Sequence, residues 1–247
     1  MSWSPLALVA PGVLALMMLI EGYRPASLGG DTRRVATNFL LYGTTFAIGM
    51  LTRSKLSAGT QLSIIPWWLA LLITLIAFDL SSYLFHRACH SFDFLWRIHR
   101  VHHSDHHLDA TSSLRHHPAE VLLVAVFGRA TVLQTAVPVA AIAIAAMLSE
   151  AVGYFSHANI ALPERLARAL SFIIVTPAVH RVHHLNSRLY ANSNYGTVLT
   201  LWDRLFGTYC PPLRPGRSEI AVGTTDGGDG YLVDQLLLPL LKSPPRE

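Results

Sequence analysis

The sequence predicts an all-α protein, built as an integral-membrane bundle of helices, and two observations carry this prediction. The chain of 247 residues is 51% hydrophobic and only 14% charged, whereas an average soluble domain has about 25% charged residues. Its mean hydropathy is +0.38. Four long stretches also lack any Asp, Glu, Lys or Arg: residues 2–20, 35–52, 56–78 and 130–149.

Each uncharged stretch is close to the roughly 20 residues that a helix needs to span a bilayer. We therefore predict helices over about 4–21, 34–52 and from Pro66 to about 90, followed by a hydrophobic hairpin over about 118–159. A soluble protein with buried helices is the alternative. Four such stretches in so short a chain are hard to bury, which disfavours it.

The organisation along the chain predicts one structural domain with three regions. These are N-terminal transmembrane helices in 1–60, a catalytic region in 61–210 and a C-terminal tail in 211–247. Arginines follow the first and third predicted helices, at Arg24, Arg33 and Arg34 and at Arg87, Arg97 and Arg100. The positive-inside rule makes that side cytoplasmic. The apolar stretch at 231–241 is expected to lie against the membrane or the helical core.

Cysteine count and charge pattern exclude several classes of protein. Two distant cysteines, Cys89 and Cys210, cannot form a disulfide framework or a four-cysteine metal site. No basic run with interleaved aromatic residues is present, so nucleic acid is not an expected partner.

All thirteen histidines lie between His86 and His184, in repeated patterns. His86 and His90 form an HxxxH motif, and two HxxHH motifs begin at His99 and His180. Residues i, i+3 and i+4 share one helical face, so each motif presents two or three imidazoles together. Thr176 and Pro177 predict the start of a helix before His180, as an N-cap followed by proline in the first turn.

Imidazole suits Fe, Zn, Cu and Ni, and eight to ten histidines match two metal ions better than one, since each ion takes roughly four to six donors. The chain has no Glu-x-x-His, which disfavours the carboxylate-rich di-iron bundles. We expect the three histidine faces to surround a metal pair at the cytoplasmic side. We expect His106, His107 and His116 to lie outside it, while spacing leaves His117 and His157 open.

Nearby polar residues are candidates to orient the ligands, because metal-bound histidines usually donate their other N–H to a carboxylate or carbonyl. Asp79 and Tyr83 fall on the same predicted helical face as His86 and His90. The alternative for Asp79 is a helix-end charge that reaches the membrane interface. Glu120 and Asp203 are similar candidates.

Six motifs, taken in order, closely resemble the sterol desaturase / fatty acid hydroxylase superfamily, and its bacterial members most. They are HRACH, HRVHH, HHPAE, FSHANIALPE, TPAVHRVHH and NSNYGTVLTLWDRLFGTY, within about 79–210. The resemblance implies a non-haem di-iron centre in a multi-pass protein of the bacterial inner membrane. Its implied ligands are His86, His90, His99, His102, His103, His117, His157, His180, His183 and His184. It gives supporting roles to Asn159, Asn194, Trp202 and Asp203.

The resemblance also implies the reaction: O₂-dependent hydroxylation or desaturation of a membrane lipid, whether fatty acyl, sterol or related. The sequence has no flavin or nicotinamide fingerprint, so electrons are expected from an external ferredoxin, cytochrome or reductase. Zinc can replace iron in purified protein. Alternatives are carotenoid or alkane hydroxylation, a membrane metal-binding or transport protein, and a haem electron carrier. The particular lipid and the oligomeric state stay open.

Overall fold

The computed structural model describes residues 8–53, 66–124, 139–213, 221–225 and 230–242. Within these ranges the regular structure is helical, with two isolated β-bridges and no strand. The longer helices are α1 (Val9–Tyr23), α2 (Thr32–Arg53), α3 (Trp67–Ser91), α4 (Asp93–His103) and α5 (Val139–His157). The shorter ones are α6 (Glu164–Leu170), α7 (Pro177–His183), α8 (Arg188–Ala191), α9 (Leu201–Leu205) and α10 (Leu232–Leu237). Residues 118–124 are also helical, and 3₁₀ turns occupy Ala110–Leu114 and Leu238–Leu240.

The long helices converge on one side of the bundle. The C-terminal ends of α3 and α5 carry His86, His90 and His157. Near the end of α1, Glu21 accepts hydrogen bonds from the backbone N–H groups of Ala110 and Asn159. The described histidines that form clusters therefore gather at one end of the bundle, as the motif spacing predicts.

Two of the helices are long and apolar enough to cross a membrane, Trp67–Ser91 and Ala140–His157. In each, only 28% of the apolar window is buried inside the protein, so most of that surface faces outward. Such contiguous exposed apolar surface is rare on soluble monomers. Four spans were predicted. Parts of three of them, 4–7, 56–65 and 125–138 with the predicted bend at Pro138, lie outside the described residues.

The first predicted span is described only from residue 8 onward, and within that part α1 has 15 residues. The second predicted span differs from expectation. The N-terminal turns of α2 are polar and enter the protein interior instead of lipid. Arg34, predicted as a topology signal in a loop, is buried there, and its Nη1 donates to Asp105 Oδ2 at 2.8 Å. It also pairs with Asp109.

The C-terminal segment packs against the helical core, one of the two positions expected for it. Leu238 is buried with Leu41 and Val101. Arg100, one of the arginines predicted to mark the cytoplasmic side, is fully buried and donates to the backbone carbonyls of Leu238 and Leu241. The tail is thus fastened to α4, the helix that carries the first HxxHH motif.

Candidate metal centre

Nine histidines form two adjacent clusters. Within each cluster, the potential ligand atoms all lie within 4.8 Å of one another. The five-histidine cluster contains His86, His90, His99, His103 and His183. The four-histidine cluster contains His102, His157, His180 and His184. All nine rings are buried except His86, which is partly buried.

Each HxxHH motif contributes to both clusters. In α4, His99 and His103 join the five-histidine cluster, while His102 points to the other. In the second motif, His180 and His184 belong to the four-histidine cluster, whereas His183 belongs to the five-histidine cluster. Residues four apart nearly eclipse on a helix, whereas adjacent residues differ by about 100°. The i and i+4 rings therefore stay together, and the remaining ring faces a second site.

Ring nitrogens converge inside both clusters. His157 Nε2 lies 3.2 Å from His102 Nε2 and 3.0 Å from His180 Nε2. In the five-histidine cluster, the Nε2 atoms of His90 and His103 are 3.2 Å apart. A neutral imidazole has one acceptor nitrogen, so converging lone pairs in a buried space suit a shared cation.

Several rings are fixed in the tautomer that a metal requires. Nδ1 of His86 lies 2.9 Å from the Tyr195 carbonyl, and Nδ1 of His183 lies 2.7 Å from the Ser193 carbonyl. A carbonyl only accepts, so Nδ1 carries the proton and Nε2 keeps its lone pair. The Nε2 atoms of His86, His99 and His183 are buried without a hydrogen-bond partner among the described residues. These donors fit metal ions.

Burial also keeps five of the ligands outside the apolar helices neutral. Burial lowers the pKa of His183 to about 3. It also holds the pKa of His102, His103, His180 and His184 well below the ordinary value. Neutral imidazole is the ligating form, so these rings bind metal without first losing a proton.

Glu120 is the predicted supporting residue that directly contacts a clustered histidine. Its Oε1 accepts from His99 Nδ1 at 2.8 Å, and its Oε2 lies 3.2 Å from His116 Nδ1. Burial alone would raise the pKa of Glu120, but the two imidazoles hold it well below its usual range. Cys89, His99 and Glu120 form a further group of potential ligands, which shares His99 with the five-histidine cluster.

Asp79 does not orient a histidine. Its carboxylate accepts from the backbone N–H groups of Val198 and Leu199 and from Trp202 Nε1, at 2.9 to 3.1 Å. The expectation that it orients a ligand directly is wrong, because two backbone donors from the loop before α9 and the indole N–H of Trp202 in α9 occupy it. Asp79 instead fastens this loop, with Trp202, to α3.

Asn194 and Asp203 support the ligands through the backbone. Asn194 adopts a positive φ of 54°. Its side-chain Nδ2 donates hydrogen bonds to the backbone carbonyls of Val179 and Cys210. Asp203 accepts from the N–H groups of Tyr195 and Gly196. The two side chains hold the segment whose carbonyls, at 193 and 195, orient His183 and His86. Tyr83 supports the same segment indirectly. Its hydroxyl forms a hydrogen bond with the Thr208 hydroxyl, and its ring lies edge-on to the ring of Tyr195.

Two predicted residues lie apart from the clusters. His117 Nε2 lies 3.2 Å from the Leu236 carbonyl, and its Nδ1 accepts from Ala119 N–H. Both nitrogens are thus engaged, and the structure does not bring His117 to either cluster. Asn159 bonds Ser27 and lies 3.4 Å from His107 Nε2, so it joins the α1–α2 connection to the end of α5.

The motifs alone did not reveal some of the groups that shape the site. The carbonyls of Ser193 and Tyr195 are backbone atoms, which no side-chain pattern encodes. His116 is outside both clusters, as expected, but its ring stacks on His102 at 4.4 Å. Its position four residues before Glu120 is the signal that could have linked it to that carboxylate.

An apolar cavity of about 510 Å³ reaches both clusters. Walls from α2, α3, α5 and segment 118–124 include Ile73, Phe78, Phe85, Val121 and Val124. His86, His99, His102, His157 and His180 line the same space. A long apolar group in this cavity would therefore lie against both clusters.

The fold and the site together define an all-α protein with two histidine clusters, each able to hold a metal ion. The sequence model of the fatty acid hydroxylase family matches residues 71–208, which is more than half of the chain, and the chain belongs to this family. The predicted resemblance to the sterol desaturase / fatty acid hydroxylase superfamily is confirmed.

Three curated relatives illustrate the range of the similarity. The ornithine lipid hydroxylase OlsE of Rhizobium tropici is 28% identical over 83% of this chain and 62% of its own. The alkylglycerol monooxygenase of Danio rerio is 30% identical over 59% of this chain and 30% of its own. The very-long-chain aldehyde decarbonylase CER1 of Arabidopsis thaliana is 28% identical over 83% of this chain and 33% of its own. The chain thus spans from under a third to about 62% of these relatives. No solved structure matches.

Proposed function

We propose that the chain is an O₂-dependent di-iron oxidoreductase that hydroxylates or desaturates a membrane lipid. One observation carries this proposal: histidines from both buried clusters line one apolar cavity. A metal pair in that position would face a hydrocarbon chain in a space from which the apolar walls exclude water. The family and the printed activities of the relatives support the same chemistry.

The proposed location is a membrane, with the lipid reaching the cavity from the bilayer. The outward apolar faces of α3 and α5 support this placement. The metal end would lie on the cytoplasmic side of a bacterial inner membrane, where an external ferredoxin, cytochrome or reductase supplies electrons. In this setting the exposed Trp67 and Trp68 at the start of α3 would lie at the opposite interface, where tryptophan is enriched.

The iron pair, when bound, would supply the O₂-dependent oxidation of an unactivated C–H bond. The protein's own residues would hold and orient it. Nine histidines are the proposed ligands, without His117. Glu120 orients His99, while the carbonyls of Ser193 and Tyr195 orient His183 and His86. Because these Nδ1 protons are committed, the three rings act as ligands and not as proton donors.

Oxygen consumption tests the proposal directly. Iron-loaded protein in detergent, given a reductant and O₂, should consume oxygen only when lipid is present. The double variant His183→Ala and His184→Ala should lose this activity, whereas His106→Ala should keep it, because His106 lies outside both clusters and bonds the Thr224 carbonyl. Full activity in the double variant would overturn the site. Reversible metal exchange without lipid-dependent oxygen consumption would favour a metal-binding protein instead.

The substrate class follows from the relatives as a proposal: a lipid with a polar head and a long alkyl chain. Lipid profiles of a deletion strain and its complemented parent would identify it by mass. A gain of one oxygen atom indicates hydroxylation, and a loss of two hydrogen atoms indicates desaturation. Loss of a carbon unit would instead indicate chemistry like that named for the aldehyde decarbonylase.

A further inference from the structure

Glu150 is a carboxylate on the wall of the apolar cavity, away from the histidine clusters. It lies within α5, inside the stretch Ala140–His157 that is long and apolar enough to cross a membrane. The cavity also contains the carboxylate of Glu120, but both oxygens of that group are committed to His99 and His116. The metal site therefore leaves Glu150 unexplained.

Glu150 has partners on one oxygen only. Tyr154 donates its hydroxyl to Glu150 Oε1 at 2.5 Å, and Tyr42 lies 3.4 Å from the same atom. Among the described residues, Oε2 accepts no hydrogen bond and no cation pairs with the carboxylate. An ionisable group at membrane depth is costly unless it has partners, and such groups mark substrate or ion sites. Glu150 Oε2 is therefore available to accept a hydrogen bond from a donor group of a ligand in the cavity.

The position of Glu150 sets a distance from the metal centre. Glu150, Gly153 and His157 recur at i, i+3 and i+7 on α5, so they share a face, and all three line the cavity. Seven residues of helix correspond to roughly 10 Å along the axis. Gly153 lies close to Ser113, another residue that lines the cavity, since a Cβ there would lie 2.9 Å from Ser113 Oγ.

We propose that Glu150, held by Tyr42 and Tyr154, is a polar subsite that accepts a hydrogen bond from a hydroxyl or ammonium group of the lipid. Bound in this way, the lipid places a carbon roughly 10 Å distant beside the two clusters. The subsite selects lipids with a donor group at that spacing and fixes which carbon is oxidised. This inference rests on the proposed function, since it assigns the orientation of that substrate.

Binding to zinc-loaded protein tests the subsite without turnover. The probes are 1-hexadecanol and its methyl ether, which share the chain but differ in the hydroxyl donor, and hexadecylamine, which carries an ammonium. Dissociation constants in detergent micelles should favour hexadecanol over the ether by about tenfold, since a hydrogen bond to a charged group is worth about that factor. Glu150→Leu should abolish this preference, and Ser149→Ala, a neighbouring cavity hydroxyl, should retain it.

A wild-type protein that binds hexadecanol and the ether equally, or a preference that survives Glu150→Leu, would overturn the subsite. An equal loss of the preference for hexadecanol in Ser149→Ala would also overturn the subsite. Iron-loaded protein given the same probes, a reductant and O₂ tests oxidation separately. A binding preference without any oxidation would refute the proposed function and leave the subsite standing, whereas oxidation without a preference would do the reverse.

Discussion

The ring of His103 stacks on the ring of His184 with 4.4 Å between centroids and 19° between planes. His103 belongs to the five-histidine cluster and His184 to the four-histidine cluster, so this contact lies at the boundary between the two sites. It also joins α4 to the end of α7, two segments about 80 residues apart in the chain. The two HxxHH motifs therefore assemble one centre with two compartments.

The division into two compartments predicts separable metal loss. His180 lies in the four-histidine cluster, and His180→Ala leaves that cluster with three rings. We expect the metal content of purified protein to fall from about two ions to about one per chain, since a site with a missing ligand binds weakly. Elemental analysis by mass spectrometry measures this. His106→Ala is the control, and unchanged metal content in His180→Ala would contradict the assignment.

The histidine spacing was enough to predict that short helical faces present their imidazoles together, because i, i+3 and i+4 patterns encode short-range geometry. It also placed a helix after Thr176, and α7 begins at Pro177. The spacing could not predict which ring of each HxxHH motif belongs to a different cluster from the other two rings. That depends on where the helix axis lies between the two sites, and only tertiary packing sets this.

Long-range polar contacts were the hardest to predict. Asp79 was expected beside a histidine but binds the loop before α9, whose N–H groups come from residues about 120 positions later. Arg34 was expected in a loop but is buried against Asp105. A charged residue looks the same in a sequence whether water, lipid headgroups or a buried partner balances its charge.

Glu120 should tune the five-histidine cluster. Glu120→Gln removes the charge that pairs with His99 Nδ1 at 2.8 Å and weakens the orientation of that ring. Loss of such an outer partner typically costs 10–100-fold in metal affinity or activity, and we expect a loss of about that size in chelator competition. Glu164→Gln, in an exposed pair with Arg168, is the matched control. Equal metal affinity in both variants would argue against this role.

Removal of Arg34 from its buried pair with Asp105 should destabilise the fold strongly. Their side chains are 1% and 0% exposed, and Arg34→Met leaves the aspartate buried without its cation. Breaking such a pair costs about 3–5 kcal/mol, which thermal unfolding in detergent would reveal as a large decrease in midpoint. Arg168→Met, in an exposed pair, should change stability by less than about 1 kcal/mol. Similar midpoints for the two variants would contradict the prediction.

Gly196 should be required for the orientation of His86. A Cβ at this position would lie 2.6 Å from the Leu199 carbonyl oxygen and 2.8 Å from Asp203 Oδ2. Gly196→Ala must therefore shift the backbone beside the Tyr195 carbonyl, at a cost of about 1–3 kcal/mol, and we expect lower metal occupancy. Gly12→Ala in α1 is the control, since nothing lies within 4 Å of its added Cβ. Normal occupancy in Gly196→Ala would show that this segment does not orient the ligand.

Acid should destabilise the metal-free protein. Burial lowers the pKa of His183 to about 3 and holds that of His102, His103, His180 and His184 well below the ordinary value. In the unfolded chain these rings titrate near pH 6.5. Below that pH the unfolded state binds more protons, so the free energy of unfolding falls as the pH decreases. Above it, these rings add no pH dependence.

Each neutral ring contributes up to about 1.4 kcal/mol per pH unit in this window. Thermal unfolding of chelator-treated protein should therefore show similar midpoints at about pH 8 and 7 and a marked decrease towards about pH 5.5. Replacing His183 with Asn removes one titrating ring and should make the acid slope shallower. A flat profile below pH 6.5 would mean that the clustered rings are protonated in the folded protein. The neutral donor set proposed for metal binding would then be wrong.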